Sequence, residues 1–186
     1  MDVRRDRRAA VAALLAATLP CAPRTACAQG AATRESSIKA AFVYKFAGFV
    51  EWPPAALRAG DPLAIGVIGA DAVASDLEQI VAGRTLEGRT VTVRRMREGD
   101  AAQPPHVLFV GATRDSRLRE IAAAVAGPVL VVTEQENGLR LGGVLNFVLE
   151  EGRVRFAASL PAAEARGLKL SARLLAVAQA VVGRPR

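Results

Sequence analysis

Cysteine is nearly missing from this chain. Cys21 and Cys27 are its only two, both near the N-terminus. That argues against a disulfide-stapled scaffold and against a cysteine-based zinc site. Histidine occurs once, as His106. A histidine-rich metal site is excluded, and any Ser–His chemistry would rest on that one residue. Aromatic residues make up only 4%. The one basic run, Arg94-Arg95-Met96-Arg97, has none interleaved to stack bases, so it reads as a solvated strand end and no nucleic acid is expected as partner. What is present is a globular composition: 186 residues, 51% hydrophobic and 23% charged. That length suits one domain with one core.

Residues 1–28 read as a secretory signal peptide. Arg4, Arg5, Arg7 and Arg8 open it, Ala9 to Leu19 is apolar, and Pro20 breaks the run. Ala26-Cys27-Ala28 is a small-x-small cleavage pattern. The apolar stretch is too short to span a bilayer. Cleavage after Ala28 would remove both cysteines and leave a domain over 29–186 with a mild net charge of about +4 out of the formal +7. The expected compartment is an oxidising one outside the cytoplasm.

Apolar spacing predicts a helix over 33–50, apolar on nearly every side, capped by Thr33, Ser36 or Ser37 and stopped by Pro53-Pro54. Such a helix must be wrapped by the domain or covered in part by a partner. Leu63 to Ile68, His106 to Val110 and Val129 to Val132 read as strands buried on both faces. Thr90 to Val93 reads as an edge strand. Helices follow, the first expected to be capped by Asp71 and the second by Asp115 or Ser116. Val144 to Leu149 and Val154 to Leu160, joined through Glu150-Glu151-Gly152, predict a hairpin. Pro161 opens a helical stretch, and Leu170 to Val182 predicts a last helix. The fold class is α/β: a single three-layer domain, mostly parallel sheet, helices on both faces, with a C-terminal β-hairpin at one edge.

Ligands in such sheets bind beyond the carboxyl ends of the strands. Gly66-Val67-Ile68-Gly69 lacks the spacing of a dinucleotide turn and reads as a close-packed strand. His106 reads as a structural residue at a strand end, and the pairs Glu134/Glu136 and Glu150/Glu151 as solvated turn residues. No catalytic, metal or cofactor site is expected. Three features suggest recognition. Phe49-Val50-Glu51-Trp52-Pro53 places the only tryptophan and a carboxylate at a helix end. Asn146 interrupts an apolar strand, so it is satisfied internally or faces a ligand. Arg153 and Arg155 lie on the outward face of the hairpin. Each also fits a bland role: Trp52 in the core, Asn146 bonded to backbone, the arginines on the surface.

These segments resemble the YfiR/HmsC-like periplasmic proteins. The match runs through Ile38-Lys39-Ala40-Ala41-Phe42-Val43-Tyr44-Lys45-Phe46, then Phe49 to Pro53, then His106 to Val110. It continues through Gly142-Gly143, Asn146-Phe147, Gly152 to Phe156, and Gly167 to Leu175. The resemblance implies a non-catalytic regulator that binds the periplasmic domain of an inner-membrane diguanylate cyclase and holds it inactive, lowering cyclic-di-GMP and biofilm output. It also implies frequent pairing as a homodimer. It points to Phe49, Glu51, Trp52, Asn146, Phe147, Arg153, Arg155 and Arg173 as partner- or ligand-binding positions. Many such proteins carry cysteines in the mature domain, often one just before the middle-strand histidine, where this chain has Pro105. Redox control through a disulfide has no thiols to use here. The alternative reading is a small-molecule-binding module in the strand-end crevice, serving another membrane receptor or transporter.

Overall fold

Gly48 interrupts the first apolar helix and sets the architecture around it. The computed structural model describes residues 25–97, 99–100 and 104–183. Most of the expected leader, residues 1–24, therefore lies outside the described residues. Helix α1 (Thr25–Ala47) starts before the expected Thr33 and stops three residues before the expected Val50. The amides of Gly48 and Phe49 close the last turn onto the carbonyls of Lys45 and Phe46. The chain then extends into β1 (Val50–Glu51). Ser36, read as a cap, sits inside the helix and donates to the carbonyl of Thr33 and the carboxylate of Asp76 (2.6 Å).

An eight-stranded sheet follows, built from β2 (Leu63–Ile68), β3 (Thr85–Leu86), β4 (Arg89–Arg95), β5 (Val107–Val110), β6 (Leu130–Thr133), β7 (Leu145–Glu150), β8 (Arg153–Ser159) and β10 (Ala180–Val182). Its spatial order is β10-β8-β7-β6-β5-β2-β4-β3. Pairing is parallel throughout except for the β7–β8 hairpin and the short β3–β4 pair. The hairpin turns at Glu151-Gly152, both with φ near the left-handed region (49° and 72°), which matches the right-handed twist of the flanking strands. β1 pairs separately with β9 (Lys169–Leu170), tying the end of α1 to the C-terminal segment.

Strand alternation splits the core in two. Val107, Phe109, Leu130 and Val132 pack under α1 and α2 (Asp71–Val81). Leu108, Val110 and Val131 pack under α3 (Asp115–Ala124) and a 3₁₀ turn, Gly138–Leu141. Helices thus cover both faces, as the alternation of elements requires. Five of the six phenylalanines gather under α1: Phe42, Phe46, Phe109, Phe147 and Phe156, with ring centroids 4.8–6.0 Å apart. Each such pair adds about 0.5–1.5 kcal/mol beyond its buried area.

Four expectations need correction. The segment read as one last helix is β9, then α5 (Ala172–Val177), then β10. Its three- and four-residue apolar spacing is real, but Ser171 caps a new helix by accepting from the amide of Leu174, and Ala178 already has extended dihedrals (φ −71°, ψ 137°). The β-branched pair Val181-Val182 then pairs parallel with β8. The hairpin therefore lies one strand in from the edge. β4 is also one strand in, because β3 folds back on it. Asp71 and Asp115 are first helical residues without side-chain cap bonds, where their charge suits the helix dipole. Pro161 does open α4 (Leu160–Ala165), capped by Ser159. Arg166, at the end of α4, donates to the carbonyls of Ala122 and Val125 at the C-terminus of α3 (2.8 and 3.0 Å). Burial pushes its pKa down.

Candidate functional site

The order of strands locates the crevice where this fold class binds ligands. β2 leads to β4 on one side, whereas β5 and the strands after it lie on the other. The carboxyl ends of β2 and β5 form the switch point. Backbone fills it: a β-carbon at Gly111 would sit 2.5 Å from the carbonyl oxygen of Gly69. The amides beyond β5 are already taken. Glu134 accepts from the amide of Ala112 (2.8 Å), and Gln135 accepts from that of Thr113 (3.3 Å). The other oxygen of Glu134 receives Lys39 from α1 (2.5 Å), which also bonds Glu35. Burial works against the Lys39 charge, but Glu134 and Glu35 outweigh it and its pKa is raised. The cavity beside Lys39 and Glu134 is about 70 Å³, far below the roughly 300–1,000 Å³ of an ordinary small-molecule site. Glu134, expected as a solvated turn residue, is instead half-buried in this network.

His106 and Trp52 form a second polar centre. The amide of Ala64 donates to His106 Nδ1 (3.0 Å), and Nε2 faces the carbonyl of Ala56 (3.2 Å). Those two partners assign the neutral Nε2–H tautomer. Trp52 packs edge-on against the imidazole, centroids 6.4 Å apart. The ring thus joins the start of β2 to the loop after β1. It serves as a structural histidine, as the sequence suggested.

Asn146 is buried and accepts from Thr133 Oγ at 2.6 Å. Its carbonyl oxygen is thus bonded inside the protein, in line with one of the two alternatives open from sequence. Gly138 and Gly143 let the 3₁₀ turn close over this pair: a β-carbon at Gly138 would collide with both Thr133 and Asn146. Thr133 was not singled out from sequence, because its partner comes from the next strand. Phe147 is buried in the aromatic cluster. Glu51 is exposed on β1, opposite Lys169. Arg153 and Arg155 are exposed on the hairpin, on the strand face shared with Ala157 and opposite to Phe156.

The remaining two positions meet. Phe49 and Arg173 line one groove of about 710 Å³ with Phe42, Tyr44, Lys45, Glu87 and Val177. It lies along the side of α1 turned away from α2, between the end of α1, the β3–β4 turn and α5. Phe49, the one phenylalanine outside the cluster, is 36% exposed, and Val177 is 67% exposed. Ile38, one turn before Phe42 on α1, is 38% exposed. Leu149, two residues beyond Phe147 on the same strand face, is 60% exposed. The helix that looked apolar on every side is thus covered by the sheet and α2 on two sides and open on the third. Val177 and Lys45 carried no distinguishing signal in sequence, since only the fold sets α5 beside α1.

The fold is thus a mixed α/β domain whose strand-end crevice is filled by its own residues and whose first helix keeps an apolar flank open. The YfiR/HmsC-like family model matches residues 36–179, and the chain belongs to that family. No curated protein matches it. Among solved structures, a conserved domain protein from Vibrio cholerae O1 biovar El Tor str. N16961 is similar over 63% of this chain and 54% of that one, at 14% identity and a TM-score of 0.45. Among the described residues no helix is long and apolar enough to cross a membrane.

Proposed function

We propose that this protein is a periplasmic regulator that binds the periplasmic domain of an inner-membrane diguanylate cyclase and holds it inactive. It acts by contact and not by turnover. Its leverage is differential affinity: it binds the inactive state of its partner more tightly and so shifts the population. The observation that carries this reading is the open apolar flank of α1, with Phe49 and Val177 exposed beside a groove of about 710 Å³. Exposed apolar surface of this kind marks interaction sites in soluble proteins. Membership of the YfiR/HmsC-like family supports the choice of partner. The filled strand-end crevice counts against a small-molecule module at that place. Export rests on the leader expected over residues 1–28, and the cyclase partner on the family.

The test is cellular cyclic-di-GMP. Deleting the gene should raise it, and restoring the wild-type chain should lower it. A chain carrying Phe49→Asp and Val177→Asp should fold normally and leave cyclic-di-GMP as high as the deletion does. Equal cyclic-di-GMP with and without the wild-type protein would overturn the reading.

A further inference from the structure

We infer that the groove along α1 takes an apolar segment of a partner protein flanked by carboxylates. This deepens the proposed function and rests on its reading of the flank as a binding surface. The argument is one of charge. Lys45 and Arg173 stand at the groove, both exposed, and neither has a hydrogen-bond or ion-pair partner among the described residues. Glu87 is the single carboxylate there, held at φ 52° by the β3–β4 turn. The rim is therefore net positive around an apolar floor of Phe42, Phe46 and Phe156. An occupant that buries apolar side chains and brings carboxylates to Lys45 and Arg173 satisfies both features.

The same charges weigh against a second copy of this chain. A two-fold contact is isologous, so it brings the same patch against itself. Four cations would then share two carboxylates around a desolvated interface. Shape weighs against a lipid surface. Membrane-binding faces present protruding apolar groups to the bilayer, whereas this surface is concave and closed on three sides by α1, α5 and the β3–β4 turn. A groove of this size suits a helical segment that inserts side chains at three- and four-residue spacing.

The experiment uses the exported chain and two synthetic helical peptides, so it needs no cyclase. One peptide carries leucines on one face with flanking glutamates. Its twin has lysines in place of the glutamates. Fluorescence anisotropy should show the acidic peptide binding about tenfold tighter, as expected for two ion pairs at a partly buried rim. Lys45→Glu with Arg173→Glu should reverse that preference, and Val177→Asp should weaken both peptides. Circular dichroism and thermal melts should show all variants folded. The inference is overturned by no preference between the peptides, by a preference unchanged in the charge-reversed variant, or by no binding of either. It is also overturned if Val177→Asp converts a dimer to a monomer in sedimentation, or abolishes binding to anionic phospholipid vesicles. Acidic-peptide binding without any effect on cyclic-di-GMP would sink the cyclase reading and leave the groove chemistry standing.

Discussion

His106 shows how one side chain can hold three segments. Its two nitrogens bond the amide of Ala64 and the carbonyl of Ala56, and its ring meets Trp52. Replacing it with alanine leaves a backbone donor and acceptor without partners and opens a space beside the indole. His106→Ala should cost about 2–4 kcal/mol, seen as a lower urea midpoint with an unchanged slope. The same variant should still restrain a partner at temperatures where it is folded, since the groove lies elsewhere. Gly138→Ala is the sharper test at this scale. Its methyl would meet Thr133 and Asn146 in a buried space, so a loss of about 2 kcal/mol or more is expected in the same measurement. Single residues were legible where one local property decides them: a strand-end histidine, an asparagine in an apolar strand. Thr133 was not legible, because nothing near it in the chain names Asn146 as its partner.

Among the elements, α1 does the most work. It packs on the sheet, on α2 and, through Lys39, on the loop after β6. The raised pKa of Lys39 makes that last contact testable. A lysine whose folded-state pKa lies above its unfolded value adds stability that is complete at neutral pH and is lost as pH rises through the folded value. Denaturant titrations from neutral to strongly alkaline pH should therefore show a decline, and Lys39→Met should show less of it. A decline identical in both proteins would exclude Lys39 as its source. Long periodic segments and the β7–β8 hairpin were readable from sequence, because their signals are local. The C-terminal segment was misread, because helical spacing over Leu170 to Val182 was not broken by any proline or glycine. What breaks it is tertiary: the open edge of β8 offers hydrogen bonds to whichever strand reaches it, and Val181-Val182 suits an extended backbone.

For the molecule as a whole, the architecture divides stability from recognition. The place where sheets of this class bind ligands is used internally, by Glu134 and its neighbours, to pin the loop before α3. The surface proposed for binding lies apart from it, on the flank of α1. Substitutions at Val177 or Arg173 should then leave the thermal midpoint within about 2 °C of wild type, since exposed positions contribute little. Substitutions at Phe109 or Phe147, buried in the core and outside the groove, should lower it sharply and remove activity only by unfolding. Differential scanning calorimetry beside a cyclic-di-GMP measurement separates the two groups. The fold class was legible from the alternation of strands and helices. The groove was not, because its walls come from three distant stretches: Phe42 to Phe49, Leu86-Glu87, and Arg173 to Val177.

β10 is only three residues long, yet it seals the margin of the sheet beside β8. Deleting Ala180–Val182 would leave nearly all of the described core in place and uncover a row of unsatisfied peptide groups along β8. Such a fragment would be well packed inside and adhesive at its rim. Variants that lack β10 should therefore accumulate as aggregates, and not as weakened but soluble proteins.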